Sequence, residues 1–234
     1  MLAVLVAAIV VPAAGGTPAR AVPILEFHVV GRPPVGEPYP QLYDPPATFR
    51  AQLAWLARHG YRTITLDHLL RAWIGAATLP HKPVVLTFDD GYPQDVSFVR
   101  PLLRAHGWRA VLNLQVGNLA PDKVRALIAA GWEIDAHTFT HPDLTKVSPA
   151  QLRREVAGSR RWIRGVFGLP VDFFAYPDGR FNAAVIAAVQ RAGYLGAESE
   201  QPGPASPANG LYTLHRIEIL RGDGVAGLAA KLAS

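Results

Sequence analysis

The chain has 234 residues, 50% hydrophobic and 18% charged, the balance of a folded chain long enough for one large domain. It contains no cysteine, which excludes disulfides, thiolate nucleophiles and sulfur-held metals; any metal site must be assembled from His, Asp and Glu. Lys and Arg total 23 against 18 Asp and Glu, but the basic residues are scattered and form no stripe that could track a phosphate backbone, so nucleic acid is not expected as a partner.

Met1 to Ala14 is almost wholly Ala, Val, Leu and Ile, and Ala19-Arg20-Ala21 supplies a small-x-small cleavage pattern. Residues 1–21 therefore read as a secretory leader, although no Lys or Arg precedes the apolar run, and 22–234 as one domain. The run is shorter than the roughly 20 residues that a bilayer span needs, so the product is expected to be secreted or cell-wall associated, without a stable membrane span, and monomeric.

Beyond the leader, strand and helix patterns alternate. Val22 to Val30 reads as a strand, Gly31 to Pro46 as a proline-rich surface loop, Ala47 to His59 as a helix and Tyr61 to Leu66 as a strand. Further strands are expected near 83–88, 108–116, 132–136, 171–176, 194–197 and 211–220. Helices are expected near 67–73, 94–106, 122–130, 148–167 and 182–192, with Ser148 and Asn182 as caps and Gly107, Gly131, Gly168 and Gly193 past the ends. Strands joined by single helices must run parallel, and this many units predict an α/β fold, preferably a parallel (β/α) barrel in a single domain. Gly222 to Gly227 spells a G-x-G-x-x-G, but no acidic residue lies about twenty positions on, so it reads as a turn into a terminal helix.

In parallel α/β folds the active site lies at the carboxyl ends of the strands, which directs attention to three places. Val84 to Phe88 runs into Asp89-Asp90-Gly91, Trp132 to Ala136 into His137-Thr138-Phe139-Thr140-His141, and Phe173 to Tyr176 into Pro177-Asp178-Gly179. One Asp would suffice as a helix cap; two adjacent carboxylates leaving a buried strand repel one another unless a cation or proton sits between them. Two histidines four apart are common in cores and on surfaces, but coming off one strand beside an Asp pair off another they suggest a ligand set. Two imidazoles and a carboxylate suit a catalytic Zn²⁺ or related divalent ion, which leaves the other Asp free to take a proton from water. No serine sits in a Gly-x-Ser-x-Gly elbow, so nothing supports a covalent route.

The segments Thr87-Phe88-Asp89-Asp90-Gly91, His137 to His141 and Phe174-Ala175-Tyr176-Pro177-Asp178-Gly179 resemble, in order and spacing, the motifs of the carbohydrate esterase family 4 polysaccharide deacetylases. Ile24-Leu25-Glu26-Phe27-His28 resembles the opening strand of the poly-N-acetylglucosamine deacetylase branch. The resemblance implies a distorted parallel (β/α) barrel in which Asp90, His137 and His141 hold the metal, Asp89 is the general base, and the backbone N–H of Asp178 helps hold the oxyanion. Tyr176, Tyr92 and His28 are expected at the oxyanion and substrate side, and Tyr39, Tyr43 and Tyr92 as sugar-stacking rings in loops. Ala175 stands where the family's usual third motif carries an Arg that orients the base, which leaves that role unassigned. His215 is the candidate for the family's late general acid, though Thr213 to Ile217 also resembles a strand in relatives that lack it. The implied cofactor is Zn²⁺, with Co²⁺ or Ni²⁺ as alternatives, and the implied partner is an acetylated polysaccharide. The expected activity is removal of N-acetyl groups from an amino-sugar polymer; an O-acetyl esterase acting on a polymer such as xylan, or an inactive carbohydrate-binding barrel, are the alternatives.

Overall fold

In the computed structural model, residues 20–233 are described; the leader expected over 1–21 falls almost wholly outside them. Ten strands alternate with helices: β1 Ile24–Phe27, β2 Val29–Val30, β3 Tyr43–Asp44, β4 Tyr61–Ile64, β5 Lys82–Asp90, β6 Val111–Leu114, β7 Glu133–Ala136, β8 Phe173–Ala175, β9 Gly196–Pro202 and β10 Leu214–Glu218. The helices are α1 Pro46–Arg58, α2 Leu66–Trp73, α3 Arg100–Ala105, α4 Pro121–Ile128, α5 Pro149–Arg153, α6 Ser159–Phe167, α7 Ala183–Arg191 and α8 Gly224–Ala233.

The strands pair in parallel in the order β1-β10-β9-β8-β7-β6-β5, and β1 pairs again with β5, closing a seven-stranded barrel. Val85 is in register with both Ile24 and Ile64, and Thr87 with both Glu26 and Val111. A strand has two edges, so β4 and β6 occupy one edge of β5 in succession while β1 takes the other. The expected barrel is thus present, with β4 set outside the ring.

Several elements depart from the sequence reading. The loop expected over Gly31 to Pro46 is not wholly irregular: β3 pairs in parallel with β2, and the expected first strand is split between β1 and β2. The expected strand over 194–197 begins two residues later and runs on to Pro202. The expected helices over 94–106 and 148–167 each contain a five-residue turn with one extra residue per turn, Asp95–Val99 and Arg154–Gly158. Caps are as expected: Ser148 Oγ accepts from Gln151 N–H at 3.2 Å, Asn182 Oδ1 accepts from the N–H groups of Ala184 and Val185, and α6 ends at Gly168 with φ 68°.

Side chains alternate between the barrel interior and the helix-covered exterior. Outward residues such as Leu25, Phe27, Phe88, Leu112, Ile134 and Phe174 pack with α1, α4 and α6 into the main apolar core, and Ile24, Val85, Val111, Phe173 and Leu214 close the barrel floor. Above that floor the interior turns polar: Glu26, Thr87, Asn113, Asp135, Glu198 and Arg216 are all buried. Among the described residues no helix is long and apolar enough to cross a membrane.

Candidate active site

A cleft of about 450 Å³ opens at the carboxyl ends of the strands, lined by His28, Asp89, Asp90, Tyr92, His137, His141, Asp178 and Glu200, with Glu37, Tyr39 and Tyr43 from the proline-rich segment. Two other grooves are larger, but they are lined by outer residues such as Arg100, Arg104 and Arg109 and hold none of these groups. The four non-glycine residues with left-handed backbone among the described residues are Asp90, Thr138, His141 and Asp178, all in the turns at this cleft. Such conformations cost of order 1–3 kcal/mol each and persist where surrounding structure imposes them.

Asp90 Oδ1 lies 3.6 Å from Nε2 of His137 and 3.9 Å from Nε2 of His141, and the donor atoms of the three residues all fall within 4.8 Å of one another. Bonds of about 2.1 Å in tetrahedral array separate donor atoms by about 3.4 Å, so the set fits a divalent ion with little adjustment. The other nitrogen of His137, Nδ1, donates to the Ala175 carbonyl at 2.9 Å, which fixes the tautomer and leaves the Nε2 lone pair free. Asp90 Oδ2 accepts from the Tyr92 hydroxyl at 3.1 Å, and burial together with the Asp90 charge pushes the phenol's pKa up. Burial holds the His137 pKa below that of an ordinary imidazole, which favours the neutral, ligand-competent form.

Asp89 is 1% exposed and is met by Arg216, whose Nη1 lies 2.9 Å from each carboxylate oxygen. Asn113 Nδ2 donates to Asp89 Oδ1 at 2.8 Å and to Glu198 Oε2 at 2.9 Å. Burial alone would raise the Asp89 pKa, but Arg216, His137, His28 and the Asn113 hydrogen bond outweigh it and hold the carboxyl at about 2. Arg216 also lies 3.1 Å from Glu26 Oε1 and donates from Nε to the Ser199 carbonyl at 3.1 Å. One guanidinium therefore pairs with two buried carboxylates, Asp89 and Glu26, and its charge also acts on a third, Glu198. Asp89 keeps its charge, whereas burial raises the pKa of Glu26 and takes that of Glu198 to about 7. Glu26, His28 and Asp89 also come together closely enough to suggest a second metal site, but the Arg216 guanidinium already supplies the cation there.

Arg216 contacts both oxygens of Asp89, where Ala175 supplies no arginine, and its inward position bears on His215. Arg216 and Leu214 point into the barrel, so the residue between them must point out; His215 is half-buried on the outer face beside Gly203 and does not line the cleft. The expectation of His215 as a general acid is therefore corrected. Tyr176 is corrected as well: its ring is buried among Phe174 and Phe181, its hydroxyl donates to the Tyr212 carbonyl at 3.0 Å, and its N–H donates to the Glu198 carbonyl at 3.1 Å. It offers no hydrogen-bond donor to a substrate. Asp178, Tyr92 and His28 do reach the cleft, as do Tyr39 and Tyr43. Sequence reasoning missed Arg216, Asn113, Glu198 and Glu26, whose one signal is their alternation with apolar residues along strands.

A sequence model of the polysaccharide deacetylase family matches residues 76–197. A Bacillus subtilis protein, YxkH, whose name assigns it provisionally to the polysaccharide deacetylases, is 28% identical over 91% of this chain and 76% of its own length. The poly-β-1,6-N-acetyl-D-glucosamine N-deacetylase of Escherichia coli K12 is 43% identical over 28% of this chain, which spans 10% of that enzyme. The chitooligosaccharide deacetylase of Bradyrhizobium is 36% identical over 48% of this chain and 53% of its own. Among solved structures, the Streptococcus pyogenes deacetylase PplD in complex with acetate superposes with a TM-score of 0.85 and 28% identity, covering 92% of this chain and 99% of that one.

Proposed function

The chain belongs to the polysaccharide deacetylase family, and from that premise we propose that it is a secreted, metal-dependent hydrolase that removes N-acetyl groups from an amino-sugar polymer. The observation that carries this reading is the pairing of a three-donor set, Asp90, His137 and His141, with an adjacent carboxylate, Asp89, kept ionised by a buried arginine. Preference for the amide rather than an O-acetyl ester draws on the names of the Escherichia coli and Bradyrhizobium relatives, both amino-sugar deacetylases. Secretion draws on the leader-like residues 1–21.

A divalent cation held by Asp90, His137 and His141, with Zn²⁺ preferred and Co²⁺ or Ni²⁺ as alternatives, supplies Lewis acidity toward water and toward an acyl oxygen. Asp89 accepts the proton of the attacking water; Arg216 fixes the direction of its lone pairs and keeps them unprotonated. The leaving amine needs a proton in return. Of the three histidines in the cleft, two are assigned to the cation, leaving His28, which projects from the end of β1 with Nε2 3.9 Å from Glu26 Oε1. The backbone N–H of Asp178 is assigned to the oxyanion. Tyr39, 60% exposed, and Tyr43, whose hydroxyl donates to Glu37 at 2.9 Å, form an aromatic wall on which a sugar ring can stack.

The test is to incubate the full chain with Zn²⁺ or Co²⁺ and N-acetylglucosamine oligomers and to measure acetate. Release that a chelator abolishes is expected. Acetate from acetylated xylan but not from amino sugars would replace the amide reading with the ester reading, and no acetate from either would leave a binding barrel.

A further inference from the structure

The two turns that carry the assigned ligands share one construction. Each leaves its strand through left-handed backbone: Asp90, the last residue of β5, and Gly91 after it have φ 71° and 93°, and Thr138 and His141 after β7 have φ 66° and 51°. Each is then met by a buried carboxylate from one of the two helical turns widened by an extra residue. From Asp95–Val99, Asp95 Oδ2 accepts from the Tyr92 N–H at 2.9 Å. From Arg154–Gly158, Glu155 Oε2 accepts from the N–H groups of Phe139 and Thr140 at 2.8 and 3.0 Å, and Oε1 accepts from the Thr140 hydroxyl at 2.9 Å.

We propose that Glu155 is a positioning residue of the metal centre: through two backbone amides and one hydroxyl it holds the Phe139-Thr140 segment so that His137 and His141 converge on Asp90. The proposal rests on the metal reading above and adds to it a residue that touches no ligand side chain. Three observations converge. Glu155 is 1% exposed and spends all three side-chain bonds on the two-residue stretch midway between the histidines. The widened turn shifts the helical register locally, a distortion common at functional sites. Gly158, the last residue of that turn, packs so closely on the loop that a Cβ there would come 3.1 Å from the Phe139 ring. Asp95 makes the analogous contact with a single bond and leaves Oδ1 without a partner, so the His137–His141 turn is the more firmly clamped of the two.

Loss of this clamp acts on metal affinity before it acts on the fold. The experiment compares Co²⁺ dissociation constants and visible ligand-field spectra of the full-length wild type, Glu155→Gln, Thr140→Val and Ile163→Ala, well below each unfolding midpoint. Ile163 lies on α6 in the same continuous helix, is buried in the core and touches no turn bond, so it reports what destabilisation alone does. Indirect supports of metal ligands typically carry 10–100-fold in affinity. Glu155→Gln is expected to weaken Co²⁺ in that range and change the spectrum, Thr140→Val to weaken it less, and Ile163→Ala to leave both unchanged. Glu155→Gln no weaker than Ile163→Ala overturns the proposal while leaving the metal reading intact. His137→Ala binding Co²⁺ as tightly as the wild type overturns both. If Glu155→Gln does not fold, Thr140→Val decides, since an unchanged affinity there removes the role of the clamp.

Discussion

Replacing Arg216 by Met keeps much of the side-chain volume and deletes the guanidinium that pairs with Asp89 and Glu26 and acts on Glu198. Breaking a buried pair from one side costs about 3–5 kcal/mol. At about 2–4 °C per kcal/mol for a chain of this size, Tm should fall by about 6–20 °C. Chemistry should suffer separately. Burial is already the largest influence on Asp89, so without the guanidinium its pKa climbs from about 2 and the base becomes protonated. General-base catalysis is worth about 10²–10⁴-fold, which sets the scale of the loss at neutral pH. A base with a raised pKa regains its ionised form as pH rises, so the variant's kcat/KM should acquire an acidic limb and recover toward alkaline pH. The assay is acetate release by the metal-loaded variant across pH, beside melts of the same preparation. Adding Glu26→Gln should restore part of Tm by removing one orphaned carboxylate, without restoring the base orientation. Wild-type turnover by Arg216→Met, or lost turnover with an unchanged pH profile, would refute the assignment of Arg216 to the base.

Asp89→Asn should bind Co²⁺ like the wild type yet release no acetate, whereas His137→Ala should lose both; isothermal titration beside the acetate assay separates them, and equal metal loss contradicts the division of roles. His215→Ala should leave turnover close to wild type because the ring faces away from the cleft; a loss on the scale of the Arg216 variant would reinstate it as an acid. Stability of the metal-free protein should peak in mildly acid solution. Glu198, pushed to about 7 by burial, contributes stability that is full below its ordinary value near 4.5 and lost as pH rises through 7. Glu26, Asp95 and Asp135, also raised by burial, act in the same direction. Asp89 works oppositely, losing its contribution as pH falls below 3.8 toward 2. Melts across pH check the sum, and Glu198→Gln should flatten the slope between pH 5 and 8, a window worth at most about 3 kcal/mol for that group. A stability that rises toward pH 8 would refute the protonated interior.

What the sequence made legible follows from range. The apolar runs and glycine stops placed most strands and helices, because each depends on a few neighbouring residues. The Asp89-Asp90-Gly91 and His137 to His141 segments stood out because polar pairs directly after buried strands are costly without a partner. Whether His215 or Arg216 faces inward is different in kind: a slip of one residue exchanges the two, and only pairing with β9 and β1 settles the register. The partnership of Arg216 with Asp89 spans 127 positions, a separation at which no local pattern carries information. The two-residue strands β2 and β3 are too short to show a period, and the extra residue in each widened helical turn answers to the loop it supports rather than to its own composition.

The polar middle of the barrel has a consequence for anyone seeking a hardier enzyme. Where other barrels are plugged with layers of branched aliphatic side chains, here the buried ion pairs that fill the interior are also the groups that set the acidity of the base. A hydrocarbon substitution there removes a partner of the base and leaves a buried charge uncompensated, so improvements in robustness have to be sought in the outer shell of helices.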